Sequence, residues 1–582
     1  MRSDERDDHL AAALRDRHAD TLRGALADLD VMPAVDVELY VSAFDARTRA
    51  GQHLAFHLAN LLGRLEGVVA TVRITVDVDA MSDERGGVTP SDEMTTADSE
   101  GRLVQLLSGV DPRHPTGAPD LSAVLAAAVT LAAPHRMQPR ATGAVVENDE
   151  SEGRARRIRV CVGRPAKRTE TTPAEFPRDA DIDDVSDTVY VAADDWTAYV
   201  GREEGPGCDP LAVFPFGAQA AAAFATAEVF RLARAQGALR DGPRQMAYSV
   251  WSCSVRSDGR SDGPKGAMLL EGLRSGIPEF TLAGVGAVGS AFLLTLWASG
   301  IGVANVVAVD GDAVSTTNLN RYVLFGLDDV RQPKASRAAA LLRRVPDAGV
   351  HPVAPFEVQG IDEWWATYRR AEPAPIRLLV SAVDKNVPRH QLQEALPRVI
   401  LGGSTHELRA EVDRYTLADP SSRCLKCHNP PEIIETDAAM RERLLAMTRD
   451  QLAHEAEDRG VDFDQLRRYV DDLRAGGNGC AILAGPSLEK LRRNPAEGAF
   501  AVSFVSSLAG TLLAAQLVRE AAGQPLLTGG KDRANVQFWR PSAPVNAVRA
   551  TAPQPGCWCA DPAVRAGYSE LWDRGPESSS NP

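Results

Sequence analysis

A glycine-rich turn is the first place in this chain where residue types and spacing point to chemistry. In FTLAGVGAVGSAFLLTLWASGIGVANVVAVDGD a short apolar run leads into Gly284, Gly286 and Gly289, spaced G-x-G-x-x-G. Glycines at those places permit a tight turn and let backbone approach a phosphate, whose charge is stabilised at the following helix N-terminus. A second apolar run, NVVAVD, ends in Asp310, whose carboxylate can accept from a ribose hydroxyl. Nucleotide binding is the expectation, although the triplet alone is common to NAD and FAD enzymes. The second cluster is sulfur. Cys424 and Cys427 form C-x-x-C in SSRCLKCHNPPE, and Cys557 and Cys559 form C-x-C in QPGCWCADP. Together the pairs can complete a tetrahedral four-cysteine site for a structural Zn2+, with His428 as an alternative ligand in place of one member of the second pair. A free or redox-active C-x-x-C is the competing interpretation.

The elements that must position these residues alternate between strand and helix patterns, which predicts an α/β fold. A length of 582 residues allows three to five domains or two large ones. Lys and Arg total 64 against 79 Asp and Glu, a net charge of −15, which argues against a chain that coats nucleic acid or anionic membrane. No apolar run reaches the roughly 20 residues needed to span a bilayer. The start, MRSDERDDHL, carries charges where a signal peptide needs an apolar stretch. Eight cysteines, paired locally, suggest metal binding in a reducing cytoplasm rather than a disulfide scaffold. Residues 81–102, 146–157 and 254–267 read as loops, the last as the main linker. The chain thus divides into an N-terminal lobe, 1–253, and a C-terminal lobe from 268 to about 560, with a disordered tail at 573–582. The lobes look related. AAAAFATAEVFR at 220–231 parallels LAGTLLAAQLVR at 508–519, and the helix-then-strand pattern of 52–75 parallels that of 290–309. The N-terminal copy lacks a glycine turn before its helix, so it is expected to be a degenerate, inactive copy.

Downstream of Asp310, the segment runs through Asp312 into STTNLNRYVLFGLDDVRQPKASRAAALL, and LLVSAVDKNVPRHQLQ places Asp384 at another strand end. The succession G-x-G-x-x-G, D-x-D, NLNR, QPKA and SAxD-N, over roughly 276–430, resembles the adenylation domain of E1-like activating enzymes. That superfamily includes ubiquitin-like E1 enzymes and the bacterial sulfur-carrier activators ThiF and MoeB. The resemblance implies a ThiF/MoeB-like Rossmann-type domain at 268–430, completed by 480–560, that uses Mg2+ and ATP to adenylate a protein's C-terminal carboxylate. It also implies roles: Arg321 and Lys334 neutralise phosphates and the charge developing at the α-phosphorus, Asp384 holds Mg2+, Asn318 bonds phosphate, and Asp310 fixes the ribose. Asp312 belongs to the same nucleotide set. Arg389 also matches a family arginine and equally suits a structural role on its helix. A hydride-transfer enzyme needs no such cations around a phosphate that it does not cleave.

The same resemblance singles out Cys480, alone in RAGGNGCAILAGPSLEKL, as the thioester nucleophile, its thiolate next to a glycine segment. Its competing role is that of a small buried hydrophobe. Between it and Cys427 lies an insertion, 431–479, whose apolar spacing suggests two amphipathic helices, like a small catalytic-cysteine domain. The fused inactive lobe also resembles eukaryotic-type E1s and the E1-like proteins of bacterial ubiquitin-like conjugation operons, some used in antiviral defence. The leading expectation is therefore an E1-like enzyme that adenylates a ubiquitin-like protein, captures it on Cys480 and passes it to an E2-like partner, with no nucleic-acid or membrane partner. The alternative is a ThiF/MoeB-like sulfur-carrier adenylyltransferase without conjugation, and a third reading is a partner-binding pseudoenzyme. Arg15, Arg17 and Arg23 are candidates for an arginine lent across the lobes to ATP.

Overall fold

The computed structural model describes residues 34–77 (except 66 and 67), 121–132, 156–164, 185–343 (except 235–241 and 258), 356–429 (except 360 and 371–374), 435–492 (except 460, 478, 480, 481, 484–486, 489 and 490) and 502–572 (except 530 and 541–547). Arg15, Arg17, Arg23, Cys480 and the tail lie outside them. Two mixed sheets organise the larger of two units, which comprises residues 1–429 and 500–582.

In the first sheet, β1 (Val35–Val41), β2 (Val69–Val76), β3 (Arg157–Val162) and β4 (Val185–Ala193) run parallel in the order β2-β1-β3-β4. The antiparallel strands β5 (Thr197–Gly201), β6 (Gln245–Ser249) and β7 (Ser254–Val255) extend it. Helices α1 (Arg49–Gly63), α2 (Leu121–Ala132) and α3 (Phe216–Arg234) accompany it, and α4 (Gly266–Gly272) leads into the second sheet. There β8 (Phe280–Ala283), β9 (Val306–Val309), β10 (Phe356–Gln359), β11 (Leu378–Ser381) and β12 (Val399–His406) are parallel in the order β10-β9-β8-β11-β12. Strands β13 (Arg409–Tyr415), β14 (Lys531–Gln537) and β15 (Arg549–Ala550) add an antiparallel edge. Helices α5 (Ala287–Ser299), α6 (Lys334–Arg343), α7 (Ile361–Arg370), α8 (Asn386–Glu394) and α9 (Leu425–His428) connect the strands.

Setting β10 aside, the two strand orders coincide: β1, β2, β3 and β4 correspond to β8, β9, β11 and β12, and β5–β7 to β13–β15. The sequence repeats fall on corresponding elements. Residues 52–75 cover α1 to β2, and 290–309 cover α5 to β9. Residues 220–231 lie in α3, between β5 and β6. Residues 508–519 lie in α13 (Ser503–Ala521), between β13 and β14.

Small residues let the two lobes share one core. The Ala-rich α3 is buried along its whole length, and α5 and α13 are nearly so. The three helices pack together, and a Cβ at Gly510 of α13 would come within 2.6 Å of Ala291 and Phe292 of α5. The apolar core is continuous across both sheets. Inside it, Gln219 Oε1 accepts from the Thr295 and Thr511 hydroxyls while its Nε2 meets His57 Nε2 at 2.7 Å. Burial pushes His57 down to about 3, so the imidazole is neutral and accepts this bond.

The segment read as the main linker is anchored along its length. Within 254–267, Ser254 and Val255 form β7, Pro264 O accepts from Trp196 Nε1 at 2.7 Å, and Gly266 N donates to Asp195 Oδ2 at 2.8 Å. Turn-rich composition reports the lack of regular structure, not the lack of anchors.

In the second unit, residues 430–499, the described residues include α10 (Asp437–Ala446), α11 (Arg449–Arg459) and α12 (Phe463–Arg474), where the sequence suggests two helices. Met447 turns extended, and Thr448 and Gln451 then exchange side-chain caps, which splits one apolar period into two helices. Met440, Leu444, Leu452, Leu466, Tyr469 and Val470 build its own small core. Gly476 and Gly479 take positive φ to end α12, and Gly479 N donates to Asp472 Oδ2 at 2.8 Å. A side chain on Gly479 would collide with Tyr469, so the glycine segment is a packed turn.

Candidate functional site: two strand-end switch points and a cysteine cluster

In the second sheet the chain leaves β8 for one side and β11 for the other, so a crevice opens between their C-terminal ends, where open α/β sheets bind ligands. The three glycines sit at this point for three different reasons. Gly284 has φ +91° and faces the end of β11, where a Cβ would lie 2.7 Å from Ala382 O. At Gly289 a Cβ would collide with Gly284 O, so glycine lets α5 close onto the turn. Gly286, the residue capping α5, has no such packing demand: a Cβ there would meet only the Tyr322 hydroxyl, at 3.5 Å. Its bareness leaves the first turn of α5 open, with N–H groups that lack intrahelical acceptors.

Asp310, at the end of β9, turns its side chain inward and braces the glycine turn. Oδ2 accepts from Val285 N at 2.7 Å and Oδ1 from Asp312 N at 2.9 Å, leaving a second lone pair on each oxygen. Burial pushes its pKa up, while Lys334 and the two backbone donors hold it back. Lys334 opens α6, its ammonium 2.8 Å from Asp312 Oδ2 and 3.9 Å from Asp310 Oδ1. Burial works against that charge, but Tyr322, Asp310 and Asp312 outweigh it and raise the pKa. Asp312 itself is exposed.

Asn318 closes a 3-10 turn, its Oδ1 accepting from Ser315 N at 3.1 Å. Arg321 Nη1 donates to Thr317 O at 2.8 Å and to Asn320 Oδ1 at 2.9 Å. Two neighbours escaped sequence reasoning. The Tyr322 ring, whose hydroxyl lies beside Gly286, has its centroid 5.4 Å from the Arg321 guanidinium and 5.6 Å from the Lys334 ammonium, bringing two cations to one aromatic ring. Asn320 is buried, and its Nδ2 has no hydrogen-bond partner among the described residues. Both lie in the quoted NLNRY run, where an aromatic reads as core and a second Asn as turn.

Asp384 follows β11 on the turn into α8, exposed to solvent. Arg389 Nε donates to Val383 O at 2.9 Å and its Nη1 bonds Asn386 and Asn429, so this arginine shapes the turn. A carboxylate is the kind of hard oxygen donor that Mg2+ takes.

The equivalent crevice in the first sheet is closed. There β1 ends at Val41, and the segment to α1 carries Asp45 where the other lobe carries glycines. The buried Asp45 carboxylate accepts from Cys208 N at 2.7 Å and from the Ser42 hydroxyl. Gly163, at the end of β3 with φ +79°, lies so close that a Cβ would collide with Asp45 Oδ2. A buried side chain therefore fills the place that the glycine turn leaves open in the second lobe.

The structure brings Cys424, Cys427, Cys557 and Cys559 together, their sulfurs all within 4.8 Å of one another. Cys424 and Cys557 are 3.7 Å apart and Cys427 and Cys559 are 3.5 Å apart. A tetrahedron with Zn–S bonds of about 2.3 Å has edges of about 3.8 Å, whereas a disulfide needs about 2.05 Å. The 3-10 turn Trp558–Ala560 after Cys557 lets the tight C-x-C present both sulfurs. Backbone N–H groups of Cys427 and Gln554 approach Cys424 Sγ and Cys427 Sγ at 3.4 Å. Hydrogen bonding from Cys424 pulls the Cys559 thiol down to about 5. The donor set fits Zn2+, and four protein ligands leave no open position. His428, the alternative ligand, belongs elsewhere. It groups with Glu411 and Asp413, its Nδ1 bonded by Arg533.

Residues 273–559 match the family model described as "ThiF family". An uncharacterized protein of Sinorhizobium fredii, y4jF, is 27% identical over 427 residues, covering 68% of this chain and 76% of that one. The SAMP-activating enzyme E1 of Haloferax volcanii is 39% identical over 92 residues, covering 16% of this chain and 32% of that one. Among solved structures, the microcin C7 biosynthetic enzyme MccB is 14% identical, with a TM-score of 0.33, over 64% of this chain and 98% of that one. No described helix is long and apolar enough to cross a membrane. The C-terminal lobe, with its switch-point glycine turn and family match, carries the adenylating-enzyme fold of the ThiF/MoeB superfamily, a fold for ATP-dependent adenylation.

Proposed function

We propose that the chain is a ThiF/MoeB-like adenylyltransferase that activates the C-terminal carboxylate of a small carrier protein with Mg-ATP. The observation that carries this reading is the open crevice between β8 and β11, where Gly286 leaves the α5 N-terminus bare and the Arg321 and Lys334 cations flank the Tyr322 ring beside it. In the proposed step a carboxylate oxygen attacks the α-phosphorus, the bond to the bridging β-phosphate oxygen breaks, and pyrophosphate leaves. Arg321 and Lys334 neutralise charge on the phosphates and Asn318 adds a hydrogen bond. Asp310 orients the ribose. Asp384 would hold Mg2+, which when bound neutralises phosphate oxygens. The first lobe, its crevice closed by Asp45, serves as an inactive copy that completes the fold.

The test is ATP–pyrophosphate exchange with a carrier that co-purifies with the chain. Lys334→Ala should abolish exchange, and exchange at the wild-type rate in that variant would overturn the assignment. A wild-type chain with no exchange on any co-purifying carrier would instead favour the pseudoenzyme reading.

One observation favours a second, E1-like reading: a separate helical unit, 430–499, whose packed glycine turn ends at Gly479, immediately before Cys480. In this reading the Cys480 thiolate attacks the acyl-adenylate carbonyl, AMP leaves, and the thioester passes to an E2-like partner. A dithiothreitol-sensitive adduct with the carrier that Cys480→Ala abolishes, while exchange persists, separates the two readings.

A further inference from the structure

The loop that carries Asn318, Arg321 and Tyr322 is held from behind by the other lobe. At the end of α1, Arg64 is among the most deeply buried side chains of the molecule, 1% exposed, and its guanidinium reaches across the lobe boundary. Its Nη1 donates to Leu319 O and its Nη2 to Phe325 O at 3.0 Å, the first acceptor 255 residues away in sequence. Its Nε donates to Asn60 Oδ1 at 2.8 Å, and Asn60 Nδ2 in turn donates to Val323 O at 3.0 Å. Three carbonyls of one seven-residue stretch thus accept from two side chains one helical turn apart on α1.

The cost of this arrangement shows that it specifies something. A fully buried cation bonded to neutral acceptors gives up its hydration, and a well-packed apolar residue would fill the volume at lower cost. What the guanidinium provides is geometry: a planar fork whose donors have fixed directions, so the carbonyls it engages cannot shift independently. The restrained backbone runs through Arg321 and Tyr322, and its far side is anchored separately, where Asp329 accepts from Gly326 N at 2.7 Å and pairs with Arg337 of α6. The loop is thus held both by the first lobe and by α6.

We propose that Asn60 and Arg64 are positioning residues for nucleotide binding: the lobe without a nucleotide site sets the position of the phosphate-contacting loop in the lobe that has one. This rests on the reading of Asn318, Arg321 and Lys334 as the nucleotide site. It assigns the first lobe a direct part in ATP affinity, beyond filling a shared core.

The experiment is isothermal titration of the full chain with Mg-ATP, beside thermal denaturation of each variant. Arg64→Met should weaken ATP binding tenfold or more, and Asn60→Ala, a milder change that keeps the helix and the cation, about threefold. Arg64→Lys can reach one carbonyl of the two and should fall between wild type and Arg64→Met. The control is Arg49→Met on the same helix, which removes a comparable cross-lobe bond, Nη2 to Ala298 O at 2.8 Å, at the opposite end of α5 from the glycine turn. It should lower Tm and leave ATP affinity within twofold. Arg64→Met and Asn60→Ala binding ATP like wild type would overturn the proposal, as would Arg49→Met weakening ATP as much as they do. If wild type binds no Mg-ATP, or if Lys334→Ala binds it unchanged, the nucleotide-site reading itself fails. That result is distinct from normal wild-type binding that Arg64 does not influence.

Discussion

Gly286→Ala is the substitution that best separates a ligand-binding glycine from a structural one. The backbone at Gly286 has φ −78°, a value that alanine adopts, and the added methyl meets only the Tyr322 hydroxyl at ordinary contact distance, 3.5 Å. Restricting the unfolded chain stabilises by about 0.4–1 kcal/mol, and alanine is a poorer N-cap than glycine by about 0.5–1 kcal/mol, roughly offsetting it. Stability should stay within about 1 kcal/mol, a Tm change of only about 1 °C in a cooperative unit of this size. Binding should respond quite differently. The methyl projects where a phosphate must approach the α5 N–H groups, and each hydrogen bond to a charged group is worth about 1.5–3 kcal/mol. Losing one such bond predicts Mg-ATP affinity about 10- to 150-fold weaker by titration calorimetry. Gly289→Ala provides the contrast. Its methyl collides with Gly284 O inside the turn, so it should cost about 1–3 kcal/mol of stability as overpacking does. A Gly286→Ala chain that keeps its Tm and binds ATP within twofold of wild type would refute the reasoning. The bareness of Gly286 would then have nothing to do with phosphate.

Three other perturbations probe the remaining features. Purified chain should contain one zinc by elemental analysis, and Cys427→Ser should lose it together with several degrees of Tm; metal-free wild type that zinc does not stabilise would contradict the cluster. Titration calorimetry should give one ATP per chain, and Asp45→Ala should not add a second site, because it leaves the Cys208 N–H and Ser42 hydroxyl to be satisfied at about 1–3 kcal/mol each. His57 should contribute to acid sensitivity. Its pKa falls from 6.5 to about 3 on burial, so the folded state binds fewer protons between those values. The contribution is therefore fully present above about pH 6.5 and lost as pH falls toward 3, by up to about 1.4 kcal/mol per unit. Denaturant unfolding between pH 4.5 and 7.5 should show a shallower slope for His57→Gln, and an unchanged slope would remove His57 from the account.

Much of the second lobe was legible because its signals are local. The glycine triplet answers to steric demands within one turn, and Asp310 and Lys334 sit beside it through strand ends that the apolar runs already mark. The repeat between 220–231 and 508–519 was visible as composition, and its meaning became clear only when both segments proved to connect the same pair of strands in each sheet. The anchors of the linker at 254–267 and the division of the insertion's helices were illegible for one reason. Composition registers turn-forming residues and apolar periods, but neither the Asp195 and Trp196 anchors nor the Thr448–Gln451 caps alter them.

The sequence by itself determined which side chains are available for chemistry: three glycines before a helix, the Asn318, Arg321, Lys334 and Asp384 series, and two cysteine pairs. Those choices depend on residue type and short spacing, which a linear chain states directly. Tertiary structure alone decided which crevice is open and what holds it. Asp45 is an ordinary acidic residue until the pairing of β1 with β3 sets Gly163 against it, and a C-x-C is a weak motif until a 3-10 turn aims both sulfurs at Cys424 and Cys427. Arg64 carries no signal in LLGRLEG, because its acceptors are backbone carbonyls in the other half of the chain. Carbonyls are the same in every residue, so only packing can say which of them a buried arginine will find.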